Sequence, residues 1–170
     1  MWDVTHGESH IEFAQMGLDR VVPNWKQFDI NLPVLNLGAG KKAVSRTEPL
    51  DWPEWNGETD KLPYEDESVG GVIAMHFLEH LADPRHVMRE VARVLRKGRP
   101  FNILVPHAQS LMYLHDIDHK TPFIIDTWKQ MMCSDYYTKG KEAFPFEIGA
   151  NFLFGLKEAN LAVVTQLIKV

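Results

Sequence analysis

The chain has 170 residues, 45% of them hydrophobic and 24% charged, with a net charge of −5. That composition describes one domain able to bury a core, and it argues against a disordered segment or a strongly cationic binder of nucleic acid or anionic membrane. The single cysteine, Cys133, excludes an internal disulfide and an all-cysteine zinc cluster, and no apolar run approaches the roughly 18 residues of a membrane span. The opening Met1-Trp2-Asp3-Val4-Thr5-His6 lacks the basic-then-apolar pattern of a signal peptide, so a cytoplasmic protein is expected.

In chain order, Ser9 predicts a cap for a helix over 10–20, with Ile11, Phe13, Ala14 and Leu18 on one side. Val34 to Leu37 is a short apolar run ending in glycine, which predicts a buried parallel strand. Thr47 to Leu50 predicts a second strand, at an edge because it contains Pro49. Val69 to Met75 predicts a third. Asp83-Pro84 marks a helix start, Val87, Met88, Val91, Val94 and Leu95 recur at helical spacing, and Gly98 is expected to stop that helix. Phe101 to Val105 predicts the next strand and 125–132 a further helix. Phe144 to Leu156 and Leu161 to Val170 predict an antiparallel hairpin. The strand–helix–strand alternation over 69–105 implies a parallel α/β core. Only nine residues, Gly38 to Arg46, join the first two strands, where a parallel crossover ordinarily needs a dozen or more. The expectation is a reduced sheet with no full helix between Gly40 and Thr47, and no third strand and helix between Asp51 and Asp60.

Several of these junctions carry residues suited to chemistry. Gly38 and Gly40, flanking Ala39, stand where a strand turns toward a ligand, and glycine lets backbone N–H groups approach one closely. A tight surface turn is the plain alternative. Ala43 breaks a G-x-G-x-x-G pattern, and Lys41-Lys42 is not followed by Ser or Thr, so neither an NAD fingerprint nor a triphosphate loop is supported. Asp51, with Trp52 beside it, follows the second strand, where an acid of a nucleoside-binding fold accepts hydrogen bonds from ribose hydroxyls. His76-Phe77-Leu78-Glu79-His80 matches the H-x-x-E-H motif of a zinc hydrolase. That motif needs a helix carrying both histidines on one face. Here a strand precedes it and Pro84 opens a new helix. His107, His115 and His119, with Asp116 and Asp118, follow the next strand, whose carboxyl end faces the ligand side of an open α/β sheet. A histidine there is a candidate general base, against a plain reading as a polar lid; a metal set of His115, Asp118 and His119 is a further reading.

Taken together, these segments resemble the small class I methyltransferases that use S-adenosylmethionine (SAM), of the methyltransferase type 11 kind. The resemblance lies in Val34-Leu35-Asn36-Leu37-Gly38-Ala39-Gly40, then Asp51, then Asp60-Lys61-Leu62-Pro63-Tyr64-Glu65-Asp66-Glu67-Ser68. It continues in His76-Phe77-Leu78-Glu79-His80-Leu81 and in Arg93-Val94-Leu95-Arg96-Lys97-Gly98-Arg99-Pro100, over residues 33–106 in all. It implies a reduced Rossmann-like α/β fold, a mostly parallel sheet closed by an antiparallel hairpin. It also implies one domain, with a helical cover over 1–30, a cofactor core over 33–106, and an acceptor-side loop, helix and hairpin over 107–170. The cofactor set it implies is Asn36, Gly38, Ala39, Gly40, Asp51, Trp52, Asp60, Lys61, Leu62 and His76. Asn36 replaces an acid common in the family. Glu79 and His80 become structural residues that satisfy loop backbone groups, and no metal is expected. The acceptor is expected to be a small molecule or sugar, since neither an Asn/Asp-Pro-Pro-Tyr nor a Pro-Cys nucleobase motif is present. The rival readings are a SAM- or nucleoside-binding module without turnover, and the zinc hydrolase.

Overall fold

The computed structural model describes residues 28–40, 44, 46–132, 143–156 and 159–170. One mixed sheet organises them. Its strands are β1 (Val34–Leu37), β2 (Glu48–Leu50), β3 (Gly71–Met75), β4 (Pro100–Pro106), β5 (Phe146–Phe154) and β6 (Ala162–Lys169), in the order β2-β1-β3-β4-β6-β5. The first four pair in parallel and the last two antiparallel. β1 and β4 are buried throughout and β3 nearly so, as near-continuous apolar strands of a parallel sheet should be.

Side-chain alternation assigns the two faces. Leu35, Leu37, Val72, Ala74, Phe101, Ile103 and Val105 point to one side, where the helix α1 (Arg85–Val94) lays down Val87, Met88, Val91 and Val94. Full burial of each is worth about 1.5–3 kcal/mol. Val34, Ile73 and Leu104 point to the other side, with Phe28, Ala162 and Val164. One buried polar pair crosses the ladder between β4 and β6: Gln166 is opposite Asn102, and its Nε2 donates to the Asn102 Oδ1 at 3.1 Å.

Two helix boundaries differ from expectation, at the end of α1 and the start of the last helix. α1 ends at Val94 rather than at Gly98, because Leu95 turns extended and forms a parallel bridge with Val69. Asp83 does act at the amino end, accepting from the Arg85 N–H at 3.0 Å. A short helix α2 (Leu111–His115) lies in the segment read as a loop; the Ser110 hydroxyl caps it, accepting from the Tyr113 N–H at 3.2 Å. A last helix, α3 (Thr127–Met132), is two residues shorter at its start than predicted. Between β2 and β3 the chain forms turns, without a strand or an α-helix, so the expected omission of one strand–helix unit holds. The helix predicted over 10–20 lies outside the described residues, as do 41–43 and 45; the described Gly40, Val44, Arg46 and Thr47 are not helical. Among the described residues no helix is long and apolar enough to cross a membrane.

Candidate active site

The carboxyl ends of β1, β2 and β3 place three loops side by side. After β1 the backbone turns at Gly38 (φ +64°) and Gly40 (φ +59°), both left-handed. The two glycines serve different ends. A Cβ on Gly38 would lie 2.4 Å from Cδ2 and 2.6 Å from Cβ of Phe77, whereas a Cβ on Gly40 would meet nothing within 4 Å. Gly38 therefore admits the Phe77 ring, and Gly40 faces open space among the described residues. Phe77 also leans on Trp55, with ring centroids 5.7 Å apart. At Gly38 it is the Cβ direction that the Phe77 ring occupies.

Asp51 closes the turn. Its Oδ2 accepts from the Gly40 N–H at 2.6 Å and its Oδ1 from the Trp52 N–H at 2.8 Å. Each oxygen keeps a lone pair for an outside hydroxyl. The indole of Trp52, next in sequence, is 72% exposed. On β1, Asn36 is 1% exposed and its Nδ2 has no hydrogen-bond partner among the described residues. A buried donor left unpaired costs about 1–3 kcal/mol, which a ligand acceptor would offset.

The loop before β3 is held by α1. Asp60 shapes its own turn, accepting from the Asn56 N–H at 2.9 Å and the Thr59 hydroxyl at 3.0 Å, while Lys61 is exposed. The Leu62 N–H, expected near the cofactor, donates instead to Glu90 Oε2 at 2.8 Å. Arg93 completes the staple, donating to Glu90 Oε2 at 2.7 Å and to the Leu62 carbonyl at 2.9 Å. Burial pushes the Glu90 carboxyl up, but the Arg93 guanidinium and the Leu62 N–H outweigh it and hold the group below its ordinary range.

After β3, His76 takes a left-handed backbone (φ +51°), and Leu78–His80 form one 3-10 turn. His76 and His80 thus do not share the face of an α-helix, which removes the zinc-hydrolase reading. Glu79 satisfies loop backbone groups as expected, but through its carbonyl, which accepts from Lys120 and Thr121 N–H at 2.7 and 3.0 Å; neither carboxylate oxygen has a hydrogen-bond partner among the described residues. Across from this turn, Glu58 accepts from the Lys120 ammonium at 2.9 Å and the Ala82 N–H at 3.0 Å, tying two loops together. That ammonium, followed by the Ala82 N–H, lowers the Glu58 carboxyl.

The three candidate bases part company. His107 is buried at a bridge to Phe123, its Nδ1 accepting from the Gln109 N–H at 3.1 Å. His115 is exposed at the end of α2. His119 packs between Tyr113 and His80, with ring centroids 5.0 and 4.8 Å away. Sequence reasoning missed Phe77, which sat inside a motif read for its polar residues, and Glu90, whose only signal was an acid on the buried face of an amphipathic helix.

A methyltransferase domain family matches residues 10–101, more than half of the chain. The chain belongs to that family. This methyltransferase takes SAM as its methyl donor, and the open side of Gly40 together with the unpaired Asn36 amide fits the presence of such a ligand. Solved structures agree in fold. A protein of Haloferax volcanii, solved in complex with the Trm112 methyltransferase activator, shares 18% identity at a TM-score of 0.61, covering 95% of this chain and 91% of its own. A Bacillus halodurans protein assigned to the methyltransferases shares 13% identity at 0.60, covering 92% and 98%. A SAM-dependent methyltransferase of Aquifex aeolicus shares 15% at 0.51, covering 91% and 98%. No curated protein matches the methyltransferase in sequence.

Proposed function

We propose that this SAM-dependent methyltransferase acts on a small molecule or sugar, in one domain whose residues 33–106 hold the cofactor and whose residues 107–170 face the acceptor. The observation that carries the cofactor half is the latch of Asp51 onto Gly40 beside open space. The Gly38–Gly40 turn and Asn36 would hold the methionine end, Asp51 the ribose, and Trp52 with Asp60, Lys61 and Leu62 the adenine side; His76 would border the methyl group. SAM supplies an activated methyl group on its sulfonium. The protein's part is to hold the acceptor in line with it and to exclude water, an effect that can reach roughly 7–11 kcal/mol of the barrier. Support for a small acceptor comes from the net charge of −5 and from the exposed acids Asp116 and Asp118 on the loop after β4, which would repel a polyanion. Of the three histidines, His119 is the one whose ring the Tyr113 carbonyl fixes, 2.9 Å from Nδ1, which leaves its Nε2 for a substrate proton or for a metal, but not for both.

The test has two steps. Calorimetry with SAM and its demethylated product should show binding, and Asp51→Ala should weaken it by at least roughly tenfold, each charge-assisted hydrogen bond being worth about 1.5–3 kcal/mol. Because Asp51 also holds the Gly40 turn, the same change should lower the melting temperature slightly, by roughly 2–4 °C for each kcal/mol lost. Labelled SAM incubated with pooled small hydroxyl and amine compounds should then release labelled small product. Binding without any transfer would favour the non-catalytic module; label found only on RNA or protein would overturn the acceptor.

A second reading has its own observation. The Haloferax volcanii relative was solved with an activator protein, and here Leu114 and Ile117 are 64% and 95% exposed. A small activator seated on α2 would make turnover depend on an added partner, whereas the first reading needs none.

A further inference from the structure

Methyl transfer leaves one buried cluster unexplained. Glu79 is 0% exposed, and among the described residues both its carboxylate oxygens lack hydrogen-bond partners. A buried carboxylate without donors is strongly unfavourable, so such groups are paired or bind a metal. What surrounds this one is imidazole. Nδ1 of His76 lies 3.4 Å and Nε2 of His119 lies 4.0 Å from Glu79 Oε1. One ligand atom each from Glu79, His80 and His119 fall within 4.8 Å of one another, on groups brought together from positions 79–80 and 119.

The setting is preorganised. The Tyr113 carbonyl is 2.9 Å from His119 Nδ1, so that nitrogen carries a proton and Nε2 is the ring nitrogen turned to Glu79. A second hydrogen bond of this kind orients most metal-ligating histidines. The Lys120 and Thr121 N–H groups donate to the Glu79 carbonyl, and the Thr121 hydroxyl donates to the Leu81 carbonyl at 2.7 Å. These bonds fasten the loop carrying His119 to the turn carrying Glu79 and His80. Asp116 Oδ2, 3.6 Å from His119 Nε2, stands at the rim as a further oxygen.

We propose that Glu79, His80 and His119 form a binding site for a divalent first-row transition metal. Two imidazoles and a carboxylate suit zinc or cobalt, whereas magnesium prefers oxygen ligands and retained water. Three protein ligands leave at least one coordination position for water or an acceptor oxygen. The site is distinct from the hydrolase motif, since it recruits His119 from another loop, and it departs from the metal-free site expected from the sequence. It does not depend on the identity of the acceptor.

The test uses the purified full chain, stripped with a chelator and titrated with zinc by calorimetry and with cobalt by visible absorption. One equivalent of zinc should bind in the micromolar range or tighter, and cobalt should give d–d bands of a protein site. Glu79→Gln, which preserves shape, and His119→Ala should each weaken zinc binding by roughly tenfold or more and abolish the cobalt bands, while SAM binding reports that the fold is intact. Should Glu79→Gln not fold, His80→Gln reads the same loss. Absence of stoichiometric binding at millimolar metal, or unchanged binding in any folded variant, would overturn the proposal.

Discussion

Gly38→Ala should unfold this protein far more readily than Gly40→Ala, although the two glycines sit in one turn with nearly equal φ. Left-handed backbone costs a non-glycine residue roughly 1–2 kcal/mol at either position. Only at position 38 does the new methyl group collide, and it collides with Phe77 at Cδ2, Cγ and Cβ. The last of these is fixed to the backbone, so a rotamer change cannot clear it. Overpacking of this kind adds about 1–3 kcal/mol. The expected total for Gly38→Ala is about 2–5 kcal/mol, against about 1–2 for Gly40→Ala. At roughly 2–4 °C per kcal/mol for a chain of this size, thermal melts should separate the two clearly. SAM titration supplies the converse: Gly40→Val should fold and lose cofactor, because its side chain enters the open space. Equal melting temperatures for the two alanine variants would show that Phe77 does not pack on Gly38.

Glu90→Ala should be the other large loss. The change removes the acceptor of the Leu62 N–H and leaves Arg93, whose side chain is 27% exposed, with its main partner gone. Breaking a buried ion pair from one side costs about 3–5 kcal/mol, and the partial exposure of Arg93 puts the expectation near the lower end, about 3 kcal/mol. Cofactor affinity should fall as well, because the loop bearing Asp60 to Leu62 is no longer pinned. The pH dependence follows from the lowered Glu90 carboxyl. Its stabilisation is fully present above the ordinary value of 4.5 and is lost as pH falls through the lower folded value. The wild type should therefore lose stability in acid faster than Glu90→Ala does. Parallel acid limbs in the two melting curves would contradict this.

Much of the frame could be read from local pattern. β1, β3 and β4 are apolar runs bounded by Gly or Pro, and each forms close to its expected limits. The missing strand–helix unit followed from counting residues between Asp51 and Asp60. What escaped was set by distant partners. Leu95 fits the apolar stripe of α1, yet a bridge to Val69 draws it out of the helix. Glu90 acts on Leu62, 28 residues away, through a contact that no periodicity announces. His119 and Glu79 are separate in sequence and meet only because the segment after β4 folds back over the turn after β3. α2 is different: Ser110 before an apolar stretch was a usable capping signal, obscured by the polar residues that follow.

The strand order also bears on how the chain is made. β6 lies between β4 and β5, so the strand synthesised last among the six occupies an interior place in the sheet. Until residues 162–169 leave the ribosome, the apolar run of β4 has an open flank, and β5 has nothing to pair with. Pairing between β4 and β6 also links residues as far apart as Pro100 and Ile168, and such long-range closure is slow. Nascent chains halted before Ala162 should therefore be protease-sensitive and prone to associate through that unpaired edge, and protection should arrive abruptly once the final strand emerges.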